Sequence, residues 1–206
     1  MALSRERLLA IAALLVALGA SVAFASVFTY YPGTIGVQPT PPVVVFQPGS
    51  NAGTDDVSGT IAVNIGDNGT SLAITVHPTY QLTYYENITV INNKDSKAWN
   101  IWVDVAQALT GLPAGSKAYL IIYDKGAARS ISYSSGEYTP PTTGPVAVVN
   151  LTTTGQHQIG QLSAGGVYEV DLFIYIPEGT TLPTSAVTAQ IHLIATPTTE
   201  TPPSLS

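Results

Sequence analysis

The sequence predicts an all-β chain: a single β-sandwich of jelly-roll type, preceded by an extended N-terminal donor strand. Three observations lead there. Segments in which apolar residues recur at every second position are spaced fairly evenly from Val57 to Ala195, the period of a half-buried strand. Turn residues such as Gly66-Asp67-Asn68-Gly69 and Pro177-Glu178-Gly179 separate them. Beyond Ala25 no stretch has the spacing of an amphipathic helix, and Ala106 to Leu109 offers one turn at most. Roughly eight to ten short strands with no helices between them favour a sandwich over a parallel sheet.

Residues 1–25 read as a secretory signal peptide. Arg5 and Arg7 form a short basic region, Leu8 to Val22 is apolar, and Ala23-Phe24-Ala25 is a small-x-small site, so the expected cut lies between Ala25 and Ser26. The membrane is then a transient partner. The alternative is an uncleaved anchor or a type IV pilin-like subunit with a retained helix, since Leu8 to Ala25 approaches the length of a span. Against the pilin reading, no small residue separates the basic from the apolar region, and Pro32-Gly33 breaks the chain soon after Ala25.

The chain has no cysteine. For an exported protein this excludes a disulfide framework, zinc–thiolate sites and a cysteine nucleophile. Past the signal, five Lys/Arg stand against twelve Asp/Glu, which makes nucleic acid an unsuitable partner. Charged residues are 10% of the chain, against the usual quarter, while Thr, Gly, Pro, Ser and Tyr abound. Such a surface suits packing against copies of itself or carrying sugar.

Residues 26–47 form the predicted arm. Ser26 to Tyr31 is β-branched and aromatic, Thr34 to Gln38 alternates, and Val43 to Phe46 is an apolar run. Pro32-Gly33 and Pro39-Thr40-Pro41-Pro42 divide it into extended pieces that no helix can cross. From Ser26 to Pro41 it can reach ~50 Å, further than the width of the domain. Val27, Phe28, Tyr30, Tyr31, Ile35, Gly36 and Val37 are its polymerisation residues. Ile35 and Val37 share one face and flank a glycine that permits close approach.

The sandwich is expected over 48–196. Ile61, Val63 and Ile65, then Leu72, Ile74 and Val76, make a first hairpin. Leu82, Tyr84, Ile88 and Val90, then Trp99, Ile101, Val103 and Val105, make a second across Asn92 to Ser96. Lys117 to Asp124 places Leu120 and Ile122 on one side and Tyr119, Ile121 and Tyr123 on the other. Gly126 to Pro145 is a long loop suited to contact between subunits. Val146 to Thr152 and Gln158 to Leu162 are shorter strands, and Val167 to Ile176 and Ala186 to Ala195 are the strongest two. Residues 197–206 form a Thr/Pro-rich tail, expected to be extended and solvated.

Catalytic, cofactor and metal residues are expected to be none. His77, His157 and His192 lack metal-ligand spacing. No serine sits in a nucleophile elbow, and no glycine-rich loop precedes a helix. Asp55-Asp56 and Asp67-x-Gly69 offer oxygens for calcium, but turn chemistry explains them equally well. Glu169 and Asp171 share a face without a facing carboxylate strand, as a glycan-cleaving jelly roll would need. Three sequons for N-glycosylation begin at Asn68, Asn87 and Asn150; Asn68 is on a turn, and Asn87 has the parity of Thr89, opposite Ile88 and Val90.

The hairpin Glu86-Asn-Ile-Thr-Val-Ile-Asn-Asn-Lys-Asp-Ser-Lys-Ala-Trp-Asn-Ile-Trp-Val, followed by Leu112-Pro113-Ala114-Gly115, has a strand, Asn-containing turn, strand layout. With a short signal and an apolar segment directly after the cut, the chain resembles subunits of the bundling pili of hyperthermophilic archaea, and more distantly the TasA-type and camelysin-like fibre proteins of bacterial biofilm matrices. The resemblance implies a jelly-roll subunit that donates its N-terminal strand to the next subunit, with no enzymatic activity. Its partners would be copies of itself and other filaments in a bundle, and its place the cell surface or beyond. A surface adhesin or S-layer-associated binding module, with the arm folded back on its own sheet, is the competing class.

Mass spectrometry of native protein should find a chain starting at Ser26 and added hexose on peptides carrying Asn68 or Asn87. A start near Leu8 would favour the pilin reading instead.

Overall fold

A computed structural model describes residues 4–22 and 29–203. The chain divides into two units, 1–39 and 40–206. In the first, Arg5–Val22 forms helix α1, as an unbroken run of Leu, Ala, Ile and Val favours. Among the described residues no helix is long and apolar enough to cross a membrane. Residues 29–39 carry no helix or strand, and Tyr30, Tyr31, Ile35 and Val37 are each more than 80% exposed. The cleavage pair Ala25 and Ser26, with Val27 and Phe28, lies outside the described residues.

The second unit is the sandwich, and all its strands pair antiparallel. Its strands are β1 (Val44–Pro48), β2 (Ala62–Ile65), β3 (Leu72–Thr75), β4 (Gln81–Asn93), β5 (Trp99–Gln107) and β6 (Lys117–Asp124), then β7 (Ser132–Ser134), β8 (Glu137–Thr139), β9 (Ala147–Asn150), β10 (Gly155–Leu162), β11 (Val167–Ile176) and β12 (Gln190–Pro197). One sheet has five strands in the order β1-β4-β11-β6-β9, and the facing sheet has three, β10-β5-β12. The hairpins β2–β3 and β7–β8 stand apart as two-stranded ribbons. The predicted arm, 26–47, therefore ends early: its last apolar run is β1, a built-in strand of the sandwich.

Alternation puts the expected faces inward on most strands. Ile101, Val103 and Val105 of β5, Leu120 and Ile122 of β6, and Tyr168, Val170, Leu172, Ile174 and Ile176 of β11 fill the core between the sheets. β4 departs from expectation. Leu82 and Tyr84 turn to the outer face of the five-stranded sheet, while Tyr85 and Ile91 enter the core. The reason is that this sheet is covered on both faces, so its alternation is apolar on both sides and parity cannot identify the inner one. A second apolar cluster, Ile121, Tyr123, Phe173 and Tyr175 with Tyr84, Tyr119 and Tyr138, fills the outer face beneath the 125–145 loop.

That loop is held down by charge. Asp171 is fully buried where β4 bulges, opposite the break in register between Val170 and Leu172. It accepts hydrogen bonds from the Asn87 N–H at 2.7 Å, the Tyr84 hydroxyl at 2.6 Å and Arg129 Nε at 3.1 Å. Arg129 also reaches Glu169 at 2.7 Å and lies 4.6 Å over the Tyr123 ring. Burial lowers the guanidinium pKa, but Asp171 and Glu169 more than reverse this, so it stays charged. Burial and Asp171 together raise the Tyr84 pKa, which keeps its hydroxyl a donor.

The turn between β4 and β5 is pinned from within. The fully buried Asn93 side chain donates to the carbonyls of Lys97 and Ser163, both at 2.8 Å, and accepts from the Asp95 N–H at 3.0 Å. One asparagine thus joins this turn to the one between β10 and β11, and satisfies carbonyls that neither ladder reaches.

Arg129→Met should cost about 3–5 kcal/mol, because it leaves Asp171 buried without its counter-charge. Thermal denaturation should show a Tm lower by on the order of 10 °C; an unchanged Tm would mean that the Tyr84 and Asn87 donors suffice.

Candidate assembly site

An eight-stranded jelly roll places its first strand beside its last, followed by the third and the sixth, while the second, seventh, fourth and fifth form the facing sheet. With the two ribbons set aside, this chain has the same order in every position but one: β4-β11-β6-β9 is one sheet and β12-β5-β10 the other. The exception is β1. It pairs with β4, Val44 opposite Asn93 and Pro48 opposite Thr89, and among the described residues no strand takes the position beside β12.

The vacancy can be traced in the hydrogen bonds. β12 pairs on one side with β5, from Gln190 opposite Gln107 to Pro197 opposite Trp99. Among the described residues no backbone group on its other side has a backbone partner, except that the Pro197 carbonyl closes a turn with the Glu200 N–H at 2.9 Å. Burial marks the same place. Ile191, Leu193 and Ala195 of β12, and Leu72 and Ile74 of β3, point to the core but are only half-buried, whereas Ile88, Ile122 and Val149 beneath the five-stranded sheet are fully buried. Leu72, Ile74, Ile191 and Leu193 meet around one small void together with Phe46 and Ile91. The β2–β3 ribbon and β12 thus present one half-exposed apolar row, the candidate groove, with no strand pairing between them. Gly69, at φ +70° in the ribbon's turn, lets that turn approach Val45, and its carbonyl accepts from the Phe46 N–H at 2.8 Å.

The described part of the tail, 197–203, is exposed as expected except at Pro202, and it touches the outer face of the three-stranded sheet at two points. Asn100 Nδ2 donates to the Thr198 carbonyl at 3.1 Å and Gln156 Nε2 to the Pro203 carbonyl at 2.9 Å. Pro202 is buried. Proline supplies apolar surface and carbonyl acceptors without needing a donor site of its own, so a Thr/Pro segment can lie across a sheet. The groove edge of β12 is left open.

The remaining candidates fall elsewhere. Asp56 accepts from the backbone of Val57 and His77, the His77 ring at 3.0 Å and the Tyr85 hydroxyl at 3.1 Å. Burial pushes its pKa up, and these four donors outweigh burial and hold it below the usual carboxylate value. His192 lies 3.3 Å from Asp104 on the outer face of the three-stranded sheet, while His157 is on β10. Among the described residues no three His, Cys, Asp or Glu side chains gather as metal ligands. Glu169 and Asp171 are both taken up by Arg129.

Asn68 is exposed in its turn. Asn87 is half-buried at φ +43° in the β4 bulge, its amide donating to Ser50 Oγ at 3.2 Å, and Thr89 is buried rather than outward. Asn150 Oδ1 accepts from the Thr152 hydroxyl at 2.8 Å. No protein-family model matches the chain, and no curated protein matches it.

A peptide spanning Thr29 to Gln38, added at a hundredfold excess over its Kd to a chain beginning at Thr40, should stabilise it by about 2.7 kcal/mol. Calorimetry should then show a Tm rise of roughly 5–10 °C. No shift at any concentration would mean that the groove does not take this strand.

Proposed function

We propose that the chain is a secreted structural subunit of an extracellular filament, a pilus or matrix fibre, polymerising by donor-strand complementation. The arm of one subunit enters the position beside β12 of the next. The observation that carries this reading is the unpaired edge of β12 above a half-buried apolar row. Edges of this kind invite pairing with another chain, and natural proteins normally blunt them with charge, proline or a bulge. β12 has neither Lys nor Arg, and its proline is the terminal Pro197.

The arm supplies a matching strand. Gly33 to Gln38 is free of proline between Pro32 and Pro39, so every N–H in it can join a ladder. Ile35 and Val37 are exposed and share a parity, which suits them to the groove as alternate side chains of an added strand. Burying each contributes about 1.5–3 kcal/mol, and each ladder hydrogen bond adds about 1 kcal/mol. The signal-like segment 1–25 accounts for export, and exposed Asn68 for a glycan on the outer surface.

Deleting Ser26 to Val37 should leave a folded monomer that forms no fibres in electron micrographs. Ile35→Asp with Val37→Asp should do the same in the full chain, because unpaired charge would enter an apolar groove at a cost of several kcal/mol. Normal fibres from either variant would refute donor-strand assembly through this arm.

A further inference from the structure

Resting on the filament reading above, we propose that a neighbour's arm enters antiparallel to β12, with Ile35 opposite Leu193 and Val37 opposite Ile191, and that this polarity makes the contact between subunits head-to-tail.

The registers fix where each end lies. β1 begins with Val44 opposite Asn93, and the Lys94 N–H donates to the Val43 carbonyl at 2.7 Å, so the arm joins the sandwich at the end that holds the β4–β5 turn. β12 finishes at that end, with Pro197 opposite Trp99, and starts at the far one, with Gln190 opposite Gln107. An arm folding back along its own β12 would have its C-terminal residues at the β4–β5 end. It would therefore run parallel to β12. An antiparallel arm needs its C-terminal residues at the Gln190 end, which a neighbour provides when its β4–β5 end abuts that end. Repeating this unlike contact extends the assembly head-to-tail, as a filament needs, whereas a parallel arm, reaching in from the like end, suits self-insertion or a closed reciprocal pair.

Two observations select antiparallel entry. Every strand pair in the sandwich is antiparallel, including both pairs of the three-stranded sheet, and purely antiparallel sheets are favoured over mixed ones. The vacant position is that of a jelly roll's first strand, which runs against the last. The side chains fit this polarity. With Ile35 opposite Leu193, Gly33 stands opposite Ala195, and Thr34, Gly36 and Gln38 face outward opposite Ile194, His192 and Gln190. Directly opposed residues share a face, so the two apolar arm residues meet the half-buried β12 row. Pro39 to Val43 then bridges the two sandwiches over at most ~17 Å.

The cysteine-free chain makes cross-linking a clean test. Two double variants of the full chain place thiols at exposed positions: Gln38→Cys with Gln190→Cys, and Gln38→Cys with Thr198→Cys. Antiparallel entry predicts a ladder of dimers, trimers and higher multimers from the first on mild oxidation, reversed by reductant, and none from the second. Cross-linking of the second alone overturns the polarity: as a dimer it leaves strand donation intact, and as a monomer it shows the arm folded onto its own β12 and overturns donation as well. Fibres that form but cross-link in neither variant overturn strand donation at β12 itself.

Discussion

The row of unpaired N–H and C=O groups along β12 is the constraint on which the rest of the structure turns. A backbone group left without a partner as apolar surface closes around it costs about as much as a lost hydrogen bond. The sandwich can bury the far sides of its sheets, but it cannot close over the β12 groove without supplying those partners. That is why side chains beneath the five-stranded sheet are fully buried while Ile191 and Leu193 are only half-buried, although their alternation is equally regular.

The other faces are closed by different means. Arg129 ties the 125–145 loop to Asp171 and Glu169, and the tail meets the three-stranded sheet through the Thr198 and Pro203 carbonyls. The first solution is costly in desolvation and returns specificity: the loop has one position in which a buried carboxylate is neutralised. The second is cheap. With 10% charged residues the chain has few such anchors, so packing and main-chain pairing carry most of the stability, and salt should have little to screen.

The fold class was legible in period-two alternation, because β5 and β11 each have an inner face that the pattern names, while β6 reads as a strand apolar on both sides. Three features were not. The inner face of β4 was hidden because both its sides are apolar, and the bulge at Glu86 to Ile88 shifts residues that simple parity would pair. Arg129 gave no signal, since a lone arginine in a Ser/Tyr/Pro loop acquires meaning only when β11 brings Asp171 beneath it. The identity of the open edge was also beyond the sequence. Alternation says which residues face inward, but pairing partners are set by topology, and β12 reads as a strong strand whether it is an edge or a centre.

The prolines explain why the vacancy lies beside β12. Were residues 33–48 a single uninterrupted strand, they could pair along one edge for their whole length. Pro39, Pro41 and Pro42 remove three ladder donors and push the residues before them into extended turns. The segment is thereby split into β1, which takes the β4 edge, and Gly33 to Gln38, which is separated from it by a stiff joint. Intramolecular return to β12 would require that joint to reverse the chain across the thickness of the sandwich, ~10 Å, within a few residues of restricted φ. In the assembly proposed above, the same restriction would lower the entropy that the arm loses on capture by another subunit. Under that proposal a few prolines act on both sides of the competition, raising the cost of self-closure and lowering that of assembly.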